Sequence, residues 1–482
     1  MKTIGRSGWK RFAKLSLALG LLFLFQNPVI AQTQQVTKPT TEVDELKQRL
    51  QQLEQTVLEL KQQISALEEA KKTQTQAPAT VEANYSQPAA APPPAPAPAE
   101  PKQDDQKGES SFEVYGFAML DAGYQFKQNH PDWFDVIRPT KLPAFKDEFA
   151  PNGHVYYGVR QSRLGVKSTT PTKYGELKTQ FEFELFGTGV DAGQTTFRLR
   201  HAYGELGHFG AGQTWSPFMD IDVFPNQLEY WGPNGMVFFR NVQVRWMPLK
   251  GRNALTIALE RPGASADQGQ FADRIELQGV KPKFDLPDLS GNVRFTRDWG
   301  YFQAAGMLRR MKWRDTSNDQ FNLSGQATGI GVNLSSNLKF GERDTGRFSV
   351  VYGKGIENYM NDAPVDVGIE ILNPGDPVRR IKGVALPVLG VVTFLDHNWN
   401  KRWSTAVGYS MVNIENSNGQ NVDAYHRGHY ALGNLLYYPV DRVMVGGEFQ
   451  WGRRENFQNG FHSDDFRIQF SFRYNFSKQF KF

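Results

Sequence analysis

Eight arginines, Arg163, Arg198, Arg200, Arg245, Arg294, Arg309, Arg467 and Arg473, sit in stretches where polar residues alternate with apolar ones. An arginine offers a planar fork of donors that matches a carboxylate or a phosphate. Rings of such cations around a pore favour anions. A second set of charges lies in 216–235, where Asp220, Asp222 and Glu229 occur with Tyr230 and Trp231. If this segment folds inward, its acids face the arginines and create a transverse field that orients a dipolar or dianionic solute. The plainer alternatives are arginines that only pair with neighbouring acids, and a segment that stays on the surface. Asp220 and Asp222 lack the spacing of an EF-hand calcium loop.

Catalytic groups are poorly placed by comparison. His426 and His429 are three residues apart, which puts them on opposite faces of a strand. No Gly-x-Ser-x-Gly run is present, and the absence of cysteine excludes thiol catalysis, thiolate metal clusters and disulfides. The expectation is a protein that is no enzyme and needs no cofactor, resident metal or nucleic-acid partner.

The elements that must position these charges have a period of two. Phe466, Ile468, Phe470, Phe472, Tyr474 and Phe476 alternate with Arg467, Gln469, Ser471, Arg473 and Asn475. Similar alternation marks about sixteen strands: 112–126, 158–169, 174–187, 196–207, 209–215, 236–247, 253–262, 288–298, 301–314, 326–340, 346–357, 384–397, 402–415, 425–438, 442–455 and 465–482. The joins between them are alternately short and long, as in an outer-membrane barrel. The stretch 263–287 has room for a further strand. The chain is 13% aromatic with a net charge of only +5, and no apolar run reaches the roughly 18 residues a membrane helix needs. The fold expected is an all-β transmembrane antiparallel barrel over 111–482, with a lumen too wide to be filled by side chains alone. Phe482, closing a strand with aromatics at alternate places, resembles the signal read by outer-membrane assembly machinery.

Three segments precede the barrel. Basic residues, the apolar stretch Leu15–Phe25 and Val29-Ile30-Ala31 read as an export signal over 1–31. The mature chain then opens with 32–72. Within it Val43, Leu46, Leu50, Leu53, Val57, Leu60, Ile64 and Leu67 follow a 3,4 spacing, predicting a coiled coil over about 42–70. Arg49 at g and Glu54 at e favour parallel chains. Valine and isoleucine at a with leucine at d lean toward two strands, whereas Arg49-Leu50-Gln51-Gln52-Leu53-Glu54 matches a trimer pattern. The Pro/Ala-rich 73–110 reads as an extended spacer.

Four runs carry a family resemblance: Gln161-Ser162-Arg163-Leu164-Gly165-Val166, Leu199-Arg200-His201-Ala202-Tyr203-Gly204-Glu205-Leu206, Gly212-Gln213-Thr214-Trp215-Ser216-Pro217-Phe218-Met219-Asp220 and Tyr230-Trp231-Gly232-Pro233-Asn234-Gly235. These resemble DcaP-like porins. The resemblance implies a trimeric outer-membrane porin with a periplasmic N-terminal coiled coil, associated with uptake of dicarboxylates and related anions. It makes Arg200 and Asp220 the foremost site residues and favours three-stranded heptads. A phosphate-type anion channel and an outer-membrane anchor or scaffold remain the competing functions.

Overall fold

The computed structural model describes residues 109–373 and 381–482. The export signal, the heptads from Val43 to Leu67 and nearly all of the spacer lie outside them.

Twenty strands are present among the described residues. The first eight are β1 (Ser111–Gln125), β2 (His154–Gly158), β3 (Arg163–Thr172), β4 (Gly175–Phe186), β5 (Thr195–Leu206), β6 (Phe209–Trp215), β7 (Arg240–Leu249) and β8 (Asn253–Glu260). Next come β9 (Val280–Pro282), β10 (Asp288–Arg297), β11 (Gly300–Asp315), β12 (Gly325–Phe340), β13 (Asp344–Lys354), β14 (Val367–Ile371) and β15 (Ile381–Ala385). The last five are β16 (Pro387–Asn400), β17 (Trp403–Ile414), β18 (Tyr425–Tyr437), β19 (Val443–Asn456) and β20 (His462–Lys481).

Sixteen of these form a closed antiparallel barrel. Each pairs with the next around the wall, and β20 returns to β1 in register from Ser111 opposite Lys481 to Gln125 opposite Arg467. Closure leaves no unpaired strand among the sixteen, which is how a sheet satisfies its backbone groups in lipid. β2 continues the line of β3 along β1, β9 adds a short rung beside β11, and β14 with β15 forms a separate two-stranded antiparallel sheet.

The face that alternates apolar is the outer one. Phe470 and Phe472 are 62% and 48% exposed, whereas Ser471 between them and Arg473 beside them are 3% and 4% exposed. Leu120, Phe181, Val244, Leu259, Leu308, Val332 and Val350 continue the exposed apolar belt on other strands. A soluble sandwich buries such a face between its sheets. Here it points outward, as lipid requires.

The strand expected over 384–397 is broken at Leu386, between β15 and β16, and two others differ further from the observed ones. The strand expected over 158–169 is interrupted, because Arg160 and Gln161 both turn inward. Arg160 pairs with Asp135 at 2.6 Å, and Gln161 donates to Asp121 at 2.9 Å and to the Leu228 carbonyl at 2.9 Å. The strand expected from 236 begins at Arg240, since consecutive Met236, Val237 and Phe238 are all buried within the barrel rather than alternating across its wall. The 263–287 join contains β9 and a short helix, Ile275–Gln278.

Candidate functional site in the barrel lumen

Three long joins fold into the barrel and meet there. Residues 216–239 leave β6, cross the lumen and return to β7. On the far wall the Leu228 and Glu229 amides donate to Glu448 of β19 at 2.7 and 3.0 Å, and the Asn234 amide donates to Ser410 of β17 at 3.1 Å. The crossing segment lies flush with the wall at Gly235. A Cβ there would stand 2.0 Å from the Met411 carbonyl oxygen and 2.7 Å from that of Val391, so only glycine fits. Residues 126–153 and 355–373 join it: Arg138 pairs with Asp362 at 2.9 Å, and the Phe238 amide donates to the Tyr359 carbonyl at 2.9 Å. Phe218, Phe224, Phe238, Tyr359, Met360 and Ile137 then form one apolar cluster inside the wall. Apolar packing holds the crossing segment, and the charged groups are left at its margins.

One margin is formed by β3, β4, β5 and β7. Glu182 and Glu184 alternate with Phe181 and Phe183, so both carboxylates point inward. In β5 the register slips between Glu182 opposite His201 and Phe183 opposite Leu199, leaving Arg200 as the bulged residue. The bulge turns Arg200 and His201 to the same side, next to Arg198. Arg200 donates to Glu182 through Nε and to Glu184 through Nη1 at 2.7 Å. Arg198 Nε donates to Glu184 at 2.8 Å, and its Nη2 donates to the Tyr230 hydroxyl from the crossing segment. Arg163 lies 3.5 Å from Glu182 and 3.8 Å from Glu184, and Arg240 lies 3.6 Å from Glu184. Four arginines thus share two glutamates, a formal excess of two positive charges. Trp215 supports the group, with the Arg200 and Arg240 guanidinium carbons 5.3 and 5.0 Å from its ring centroid.

A second margin, around β10 and β11, has the opposite balance. Arg294 pairs with Asp222 at 2.5 Å and Asp220 at 3.7 Å, and Asp220 also accepts from the Tyr301 and Ser335 hydroxyls at 2.8 and 2.6 Å. Arg309 pairs with Asp366 at 2.9 Å and Asp288 at 3.2 Å. Two arginines here meet four aspartates. Arg294 and Asp222 are the solvent-reached members, with side chains 25% and 48% exposed. Burial, with Asp222 beside it, raises the Asp220 carboxyl above the usual carboxylate range.

The remaining arginines are dispersed. Arg467 lies 3.6 Å from Glu229, which accepts from the Ile137 amide at 3.2 Å and the Gly232 amide at 2.5 Å. Burial pushes the Glu229 carboxyl up to about 7 despite that arginine. Arg245 donates to the Trp215 carbonyl at 2.5 Å and to Gln243. Arg473 stands 5.6 Å over the Phe117 ring, with no carboxylate within 4.0 Å among the described residues. Of the arginines singled out in the sequence, Arg163, Arg198 and Arg200 come together in one group, while the other five are distributed around the wall. Arg240, Glu182 and Glu184 were not singled out. The period-two acids of β4 were a readable signal for the last two, whereas Arg240 stands at a strand start that the alternation does not locate.

The crystal structure of the outer membrane channel DcaP of Acinetobacter baumannii superposes with a TM-score of 0.64, covering 76% of this chain and 97% of that one at 20% identity. It shows the same fold. The anion-selective porin from Comamonas acidovorans gives a TM-score of 0.49 at 12% identity, covering 76% and 100% of the two chains. OmpT of Vibrio cholerae gives 0.46 at 13% identity, covering 78% and 100%. No curated protein matches the chain. The model of the DcaP outer membrane protein family matches residues 42–476, a span that includes the crossing segment and both charged margins, and the chain belongs to that family.

Proposed function

We propose that this outer-membrane channel protein passes small anions, dicarboxylates among them, by diffusion without energy input. The observation that carries the reading is the group of four arginines around Glu182 and Glu184, with its excess of positive charge on the inner wall. An anion with two acidic ends is drawn toward that margin and turned away from the aspartates around Arg294 and Arg309, so the two margins orient it as it passes. The pathway residues on this reading are Arg163, Arg198, Arg200, Arg245, Arg294, Arg309, Arg467 and Arg473, opposed by Asp220, Asp222 and Glu229.

The test is the reversal potential of the purified protein in a planar bilayer under a KCl gradient, repeated with dicarboxylates of increasing length. Anion preference is expected. Cation preference would sink the arginine-wall reading, and block of chloride current at lower concentration by phosphate than by succinate would favour the phosphate-type channel. A bilayer that stays silent would leave an anchor or scaffold.

The remaining organisation belongs to the same proposal. The export signal 1–31 is removed, and the heptads within 32–72 join three copies in the periplasm. The spacer 73–110 leads to the barrel 111–482, whose closing strand with Phe482 is presented to the assembly machinery. Both ends of the barrel lie on its short-turn side, which supports a periplasmic start. Replacing Arg49 is expected to loosen the trimer, read by cross-linking, and to leave single-channel selectivity unchanged.

A further inference from the structure

The outer face of the barrel carries a cationic patch that the lumen does not use. Along β11 the inward Arg309, Met311 and Trp313 alternate with the outward Arg310, Lys312 and Arg314, which continue the phase of the exposed Leu308. β9 lies alongside with Lys281 directly opposite Arg314, and the Lys283 amide donates to the Lys312 carbonyl at 2.8 Å, which brings Lys283 beside Lys312. Lys354 of β13 projects outward opposite Ile330 of β12. The nearby acids do not balance these six cations. Asp285 pairs with Lys312 at 2.5 Å, and Asp315 accepts the Ser317 and Leu323 amides at 2.9 Å each. Lys283 with Lys312 and Lys281 with Arg314 therefore face each other as like-charged pairs. Asp285 offsets the first, whereas neither member of the second has a carboxylate within 4.0 Å among the described residues, an arrangement that opposes strand pairing unless an anion lies there.

The position of the patch identifies the anion. It stands at the long-loop end of the barrel, which is the outer end in outer-membrane barrels. It begins one outward step beyond Leu308, and Ile330 and Val332 of β12 are also exposed. An occupant that neutralises Arg310, Lys312 and Arg314 and also fits the apolar belt below them has an anionic head joined to alkyl chains. We propose that this face, formed by β9 and β11–β13, binds the phosphate groups of a phosphorylated lipid in the outer leaflet. Basic side chains at a membrane surface each add a modest attraction to such headgroups, and several together give a specific hold. The proposal is independent of which solute the lumen passes.

The test uses the full-length protein in detergent, titrated with fluorescent bis-phosphorylated lipid A and with its dephosphorylated form. The wild type is expected to bind the phosphorylated form more tightly. K281Q/K283Q/R314Q is expected to weaken that binding about tenfold or more, and K281R/K283R, which keeps the charge, to retain it. In detergent without lipid, the neutralised variant is expected to melt at or above the wild-type temperature, because its like-charged pairs are gone. Should the triple variant not fold, K281Q alone is read for a weaker shift in the same direction. Equal binding of the two lipid forms overturns the proposal, as does unchanged binding by the neutralised variants. Complete displacement by an equimolar amount of inorganic phosphate also overturns it, in favour of a free-anion site.

Discussion

The two charged margins of the lumen use the same residue type in opposite proportion. Around β3, β4, β5 and β7 four arginines share Glu182 and Glu184, whereas around β10 and β11 Arg294 and Arg309 meet Asp220, Asp222, Asp288 and Asp366. Counting arginines alone, four against two, would miss that the balance with the acids reverses in sign. A buried charge is tolerated only when paired, so the acids decide what each arginine contributes to the lumen. At the first margin Tyr230, Trp215 and the bulge at Arg200 hold cations together that otherwise repel. At the second, two aspartates flank Arg309 and offset its positive field.

That difference can be broken from either side. The largest effect is expected from Glu184→Gln, which keeps the volume but leaves Arg198, Arg200 and Arg240 without their shared carboxylate. A loss of about 3–5 kcal/mol in unfolding free energy is expected, measured by guanidinium unfolding in detergent; no loss would mean that water already solvates these cations. Arg200→Ala and Arg309→Ala then separate selectivity from stability. The first is expected to lower the anion-to-cation permeability ratio roughly fivefold, and the second to lower it by a smaller factor while destabilising the barrel. Equal shifts from both would erase the distinction between the margins. Asp220→Asn is expected to raise anion preference about twofold, since it removes one acid from the side already rich in them.

The smallest effect concerns pH. The Glu229 carboxyl is pushed up to about 7 from a usual value of 4.5 by burial. The fold therefore favours its protonated form, and that contribution to stability is fully present below 4.5 and lost as pH rises through about 7. Current fluctuations from the crossing segment are expected to grow from about pH 6 to pH 8 in the wild type. In Glu229→Gln they are expected to stay level.

How much of this could be read in advance depended on the range of the forces involved. Lipid outside and water inside make opposite demands on alternate residues, so β11, β12 and β20 were legible to within a few residues. The interruption at Arg160 and Gln161 was not, because each turns inward for a partner distant in sequence, Asp135, Asp121 or Leu228. The inward course of 126–153 and 355–373 was hidden for the same reason: Arg138 and Asp362 are 224 residues apart. Arg200 was readable as an inward cation. That it faces the same side as His201 depends on a register slip that periodicity does not encode.

The pairing of β1 with β20 has a consequence for the timing of synthesis. Ser111 lies opposite Lys481, so the first strand made waits for nearly the whole barrel before it has its second neighbour. Bringing ends so far apart together costs on the order of 5 kcal/mol in chain entropy, regained only when the last rungs form. A nascent chain stopped after β19 would not settle into a narrower ring. It would present two long unsatisfied sheet edges, the kind of surface on which chains aggregate. The protein is thus safest when its strands are kept from committing until the residues around Arg473 have arrived.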